Sequence, residues 1–152
     1  MPHSALDPTP VACEVVQAIQ TMVTRRFDVF DPVVATVGRI QSGTTSNVIP
    51  EFAEMEITLR SLSVEARARL AEAVEKLVRE IPAAHGLEVN FDIEKGYPPT
   101  VNHQSGAQAV AQATKAVLGE DQYMEMATPW MGAEDFSYLL ERFPGALVFL
   151  GA

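Results

Sequence analysis

The chain has 152 residues, 47% of them hydrophobic and 20% charged, a balance that excludes a disordered or fibrous protein and leaves enough apolar material for a core. Eleven basic against twenty acidic residues give a formal charge of −9, so a nucleic-acid backbone would be repelled from most of the surface. The single cysteine, Cys13, excludes an internal disulfide, no secretory leader is recognisable, and no apolar run approaches the roughly 20 residues that span a bilayer, which together point to the cytoplasm.

The first element expected is a helix. Asp7 stands as its N-cap with Pro8 at the first helical position, and Val11, Val15, Ile19, Met22, Val23 and Phe27 follow at the spacing of one buried face. Asp31-Pro32 then bounds a strand over Val33–Ile40, where β-branched residues crowd together. The turn GTTSNVIP leads into a second strand, in which Ala53, Met55, Ile57 and Leu59 alternate with Glu54, Glu56, Thr58 and Arg60. Arg60 therefore belongs to the polar face. A second amphipathic helix begins at Ser63, turns Leu70, Val74, Leu77, Val78 and Ile81 inward and closes near Gly86, with Pro82 disturbing its last turn. The stretch LEVNFDIE, residues 87–94, alternates strictly and predicts a third strand with one wet face.

Helix, strand, strand, helix, strand is one strand short of a ferredoxin-like βαββαβ layer, so either the fold is a variant of it or its opening strand is missing. Gly96 and the paired prolines of GYPPTVNH mark a boundary, giving a first domain over residues 1–96 and a second over 97–152. In the second, a helix over Ser105–Leu118 stopped by Gly119 precedes a short strand at Gln122–Met126. The turn TPWMGAEDF then leads to a short helix ending before Pro144, and the unbroken apolar run ALVFLGA reads as a buried parallel strand. About fifty residues with one such strand cannot complete a layered domain. The fold class expected is thus α+β, an N-terminally incomplete ferredoxin-like domain followed by an incomplete piece of an α/β domain.

Few residues suggest chemistry by themselves. The histidines are His3, His85 and His103, without the spacing of a metal site. His85, beside a helix-ending glycine, suits the negative end of the helix dipole, and His103 falls in the linker as a solvated side chain. Cys13 lies next to the apolar stripe of its helix and is expected to be a packed thiol. Glu134 and Asp135 are neighbours that point about 100° apart on a helix and do not converge; their carboxylates suit a helix N-terminus instead. Met131, Gly132 and Ala133 offer backbone N–H groups either to an anion or carbonyl or to an ordinary helix start.

The phrases MPHSALDPTPVA, GTTSNVIPEFAEMEITLR, AAHGLEVNFD, YPPTVNH and MGAEDFSYLLERFPGALVFLGA resemble, in order and spacing, the metal-dependent amidohydrolases that include hippurate hydrolase, the indoleacetyl-amino-acid hydrolases and aminoacylase, with carboxypeptidase and desuccinylase relatives. The likeness runs the length of the chain but covers part of the family's architecture. It implies that residues 1–96 are the lid domain, through which such enzymes dimerise, without its first strand, and that 97–152 are the closing part of the catalytic α/β domain. The family's metal ligands and general-base Glu would lie before Met1 and after Ala152. No metal ligand and no catalytic residue is therefore expected within this sequence, although a divalent zinc, manganese, nickel or cobalt ion is expected in the intact enzyme.

The resemblance also assigns roles to residues that are present. His3 matches the second, structural histidine of a lid motif. Asn47 matches an asparagine that reaches across the dimer toward the substrate, Arg60 an arginine that grips the substrate's free carboxylate, and Gly132 and Ala133 a loop whose amides touch the substrate. Read without the resemblance, Asn47 is a turn residue before Pro50 and Arg60 a solvated strand end paired with Glu54 or Glu56. The function implied is hydrolysis of the amide bond of N-acyl amino acids or small peptides by the intact protein, a homodimer, with this chain inactive alone; the alternative is a non-catalytic dimerisation or binding module.

Overall fold

The computed structural model describes residues 2–151; Met1 and Ala152, the outermost residues of the first and last quoted motifs, lie outside the described residues. The chain divides into two compact units, Met1–Glu94 and Lys95–Ala152.

In the first unit, helix α1 (Pro8–Arg26) starts as its sequence dictates: the Asp7 side chain accepts the Thr9 N–H at 3.0 Å, and Pro8 removes a donor that would otherwise lack a partner. Strand β1 (Val33–Ser42) pairs antiparallel with β2 (Ala53–Ser61) and runs past the expected end at Ile40. The ladder contains one irregularity. Val37 faces Ile57 but Arg39 faces Glu56, so Gly38 is an extra residue in β1, a bulge. Without it, strict alternation would put Arg39 on the face of Val33, Ala35 and Val37; the bulge moves its guanidinium to the outer face.

Helix α2 (Val64–Ala84) is capped by Ser63, whose Oγ accepts the Ala66 N–H at 3.0 Å and donates to Asp31 Oδ2 at 2.7 Å. Pro82 does not end the helix, which continues to Ala84 with Pro82 buried inside it. Termination comes from Gly86 at φ +73°: its N–H reaches Ala83 O at 3.0 Å and that of Leu87 reaches Pro82 O at 2.9 Å, the paired bonds of a left-handed glycine cap. Both helices cover one face of the hairpin, α1 mainly over β1 and α2 mainly over β2. Val15, Ile19, Leu70 and Val74 are fully buried there. Cys13 departs from the expectation of a packed thiol and is exposed; at 100° per residue it points roughly 200° away from Val11.

The expected third strand does not form. Residues 87–94 carry no backbone ladder, although Val89 and Phe91 pack against the core. A strand requires a neighbour for its N–H and C=O groups as well as an alternating sequence, and none lies beside this stretch among the described residues. The sheet therefore has two strands where three were expected.

In the second unit, α3 (Gln104–Leu118) ends at Gly119, φ +110°, whose N–H reaches Lys115 O at 3.0 Å. Residues Glu120–Gln122 form a 3-10 turn, and the expected strand over Gln122–Met126 is absent. Helix α4 (Ser137–Leu140) is a single turn. The run ALVFLGA is not a buried parallel strand: Val148, Phe149 and Leu150 are exposed, and no strand flanks them among the described residues. Its start is held by a side-chain clamp instead. Asn102 Nδ2 donates to Leu147 O at 2.9 Å while its Oδ1 accepts the Leu147 N–H at 2.8 Å, and the His103 N–H reaches Gly145 O at 2.9 Å. The amide of Asn102 thus mimics one residue of a neighbouring strand. Here α3 and the returning chain touch at Gly106, where a Cβ would stand 2.4 Å from the Gly145 carbonyl carbon.

Candidate functional site

Asn47 lies in the exposed connection between β1 and β2, which opens at Gly43 with φ +71°. The base of this loop is tied to α1: Thr9 Oγ1 and Ser42 Oγ are 2.8 Å apart, and Ser42 Oγ donates to Phe52 O at 3.3 Å. Between the loop and the start of α1 is a shallow concavity of about 800 Å³, lined by Asn47, Ser46 and Thr45 on one side and by Asp7, Thr9 and Pro2 on the other. Its walls mix hydroxyl, amide and carboxylate groups with the apolar side chains of Val48, Ile49 and Pro50, and they carry no fixed positive charge.

Arg60 is on the exposed outer face near the far end of β2, opposite Val34. From Ala53 to Arg60, at roughly 3.4 Å per residue, β2 carries the chain roughly 24 Å. A single copy of the unit therefore does not bring Asn47 and Arg60 to one small molecule. The carboxylates that the sequence offered to Arg60 are engaged by another arginine. Arg39 donates to Glu56 Oε1 at 2.6 Å and to Gln41 Oε1 at 2.7 Å and lies 3.1 Å from Glu54 Oε2. The hydrogen bond that Arg39 donates to Glu56, then the charges of Glu54 and Glu56, hold its guanidinium above the ordinary pKa. Sequence reading passed over this cluster because only the bulge at Gly38 brings Arg39 to that face.

Gly132 and Ala133 belong to the second unit, in the segment before α4. Gly132 is half-buried and Ala133 exposed. A Cβ on Gly132 would approach Trp130 Cε3 to 3.3 Å, and the Trp130 ring in turn meets Phe149 edge to face at 5.1 Å. The indole thus packs where residue 132 has no side chain. Glu134 contributes backbone to this turn, its carbonyl accepting from Ser137 N at 3.2 Å and Oγ at 2.7 Å.

The histidines lie apart, and two of them have structural partners. His85 ends α2 and its Nε2 lies 2.8 Å from Glu14 Oε2 on α1; His103, which the sequence left as solvated, precedes α3 and its Nδ1 accepts the Gly145 N–H at 3.3 Å; His3 is in an exposed 3-10 turn. Among the described residues no three or more His, Cys, Asp or Glu side chains gather so as to hold a metal ion. No helix among the described residues is long and apolar enough to cross a membrane.

Comparison with known proteins gives these residues a context. The chain is 35% identical over 150 residues to N-acetyldiaminopimelate deacetylase of Priestia megaterium, covering 99% of this chain and 40% of that protein. It is 34% identical over 152 residues to thermostable carboxypeptidase 1 of Saccharolobus solfataricus, covering 99% and 37%. Among solved structures, the Bacillus subtilis YXEP protein, a dinuclear metal-binding peptidase of the M20 family, superposes with a TM-score of 0.71 at 30% identity over 92% of this chain and 35% of that one. The chain thus spans about two fifths of the length of the relatives it matches. Residues 6–152 match the profile of peptidase family M20/M25/M40, and the chain belongs to that family.

Proposed function

We propose that this polypeptide is the substrate-gripping part of a hydrolase that cleaves the amide bond of N-acyl amino acids, of hippurate type, or of small peptides. The observation that carries this reading is the family match over residues 6–152, together with relatives named as a deacetylase of an N-acetyl amino acid and as a carboxypeptidase. Both kinds of substrate present a free carboxylate. Arg60, exposed near the end of β2, offers a planar fork that pairs with a carboxylate through two N–H groups. Asn47 supplies a donor and an acceptor at a polar concavity without adding charge, and the backbone N–H groups at Gly132 and Ala133 supply neutral donors to an acyl oxygen.

The distance between Asn47 and Arg60 supports a homodimer through the first unit, in which Asn47 of one copy is set against Arg60 of the other across a two-fold axis. The metal and general base belong to other parts of the intact protein, so this chain alone turns over no substrate; the setting is the cytoplasm. A donor set without a metal cluster equally favours a non-catalytic binding module, and activity separates the two readings. Release of free amine from an N-acetyl amino acid after addition of zinc or manganese to the purified chain would contradict the proposed division of labour. For Arg60 the test is an NMR titration with N-benzoylglycine and with its C-terminal amide. The carboxylate form alone is expected to shift the resonances around Arg60. The Arg60→Gln variant loses that response, about 1.5–3 kcal/mol for a charge-assisted bond before solvent screening. Equal response to acid and amide would contradict the assignment.

A further inference from the structure

The outer face of the hairpin carries its side chains in cross-strand rows. Val34 faces Arg60, Thr36 faces Thr58, Arg39 faces Glu56 and Gln41 faces Glu54, and every one of these residues is exposed. The rows differ in how far their polar groups are already engaged. Arg39 reaches Glu56, Gln41 and Glu54 at 2.6, 2.7 and 3.1 Å, so the last two rows form one closed ionic network. In the row of Thr36 and Thr58 neither side-chain hydroxyl makes a hydrogen bond among the described residues.

This threonine row stands beside the group assigned above to the substrate's carboxylate. Two residues along a strand advance the chain about 7 Å, and directly opposite residues have Cβ atoms about 5 Å apart. Thr58 and Thr36 are therefore the first polar side chains met along the face from Arg60, and Val34 is the apolar one across from it. A carboxylate held by a guanidinium lies about 2.8 Å from its nitrogens. A hydroxyl on Cβ of the same amino acid, with one more hydrogen bond of that length, spans the single row to the threonines. A longer side chain directed along the face overshoots onto the Arg39 network, which begins about 14 Å from Arg60 along β2.

We propose that Thr36 and Thr58 determine specificity by selecting a hydroxyl-bearing amino acid, serine or threonine, as the carboxylate-bearing part of the substrate. The inference rests on the reading of Arg60 as the carboxylate grip. A hydroxyl both donates and accepts, so a substrate oxygen lying between the two threonines donates to one and accepts from the other. Alanine occupies the same space and leaves both hydroxyls to water. Leucine lays apolar surface over charged groups that then lose hydration. Since the threonines are exposed, leaving them unpaired costs little, and the discrimination is that of a net hydrogen bond and not of a buried one.

The test is an NMR titration of the whole 152-residue chain with the N-benzoyl derivatives of glycine, alanine, serine, leucine and lysine, read at Arg60 and at the methyl groups of Thr36 and Thr58. N-benzoylserine is expected to bind about threefold or more tightly than N-benzoylalanine, and to shift the threonine methyls more. In the Thr36→Val, Thr58→Val double variant, which keeps both β-branched shapes, the serine and alanine derivatives bind alike. Equal affinity of the two for the native chain overturns the assignment, and so does a serine preference that survives in the double variant. Tightest binding of the leucine or the lysine derivative also overturns it, moving the choice to Val34 or to the carboxylates of Glu54 and Glu56. Absence of any response at Arg60 removes the carboxylate grip itself and this inference with it, whereas a response at Arg60 without a serine preference removes this inference alone.

Discussion

In Met1–Glu94 the apolar side chains of two helices meet those of a hairpin and leave water, with Val15, Ile19, Leu70 and Val74 at 2% exposure or less. In Lys95–Ala152 the composition is no less apolar to the eye, yet Leu140 is its only hydrophobic side chain buried to a similar degree among the described residues, and Trp130, Phe149 and Leu150 remain exposed. What separates the units is the presence of an opposing layer. An apolar helix face becomes a core only where a sheet or a second helix stands against it. Helix α3 has none of comparable size within its unit, and the second unit is held instead by the side-chain clamp of Asn102 on Leu147, the His103–Gly145 backbone bond and the close approach at Gly106.

The largest expected effect breaks the first unit. Leu70→Ala removes a side chain 1% exposed from the layer between α2 and the hairpin and should cost about 2–5 kcal/mol in urea unfolding, against about 0.5 kcal/mol or less for Val148→Ala in the second unit. Comparable losses at both positions would erase the contrast. Next is Gly106→Ala. Alanine in a helix interior is worth about 1 kcal/mol over glycine, but the new Cβ would stand 2.4 Å from Gly145 carbon and 2.6 Å from its oxygen. Backbone cannot rotate aside, so overpacking of about 1–3 kcal/mol outweighs the helical gain. The His103 amide should lose protection while α1 and α2 keep theirs; a stabilised variant would show that the approach of α3 to residue 145 is not tight. Smaller still, Ser63→Ala removes the N-cap of α2 and the bond to Asp31, a loss of about 1 kcal/mol confined to the first unit.

How much of this was legible beforehand divides along the same line. The Asp7–Pro8 start of α1, its stripe through Val15 and Ile19, the Ser63 cap and the alternation of β2 are local signals, and each is matched by a contact or by burial in the structure. Residues 87–94 and ALVFLGA show equally clear periodicity or apolarity, but strand formation depends on a neighbour that no local pattern reports. Cys13 was misplaced because adjacency in sequence to the apolar stripe is not adjacency on the helix. The Arg39 cluster was hidden by a bulge of one residue, which inverts every side chain beyond it. At the candidate site, the sequence supplied the residue types at positions 47 and 60, whereas their location at opposite ends of a hairpin came from the pairing of β1 with β2.

Native-state hydrogen exchange along the whole chain tests the contrast most directly. The account predicts that amides at Ile19, Leu70 and Val74 exchange only through global unfolding of the first unit, and that those of α3 exchange at least about tenfold faster through local opening. Protection in α3 equal to that in α1 and α2 would mean that the second unit has a core of its own, and would contradict it.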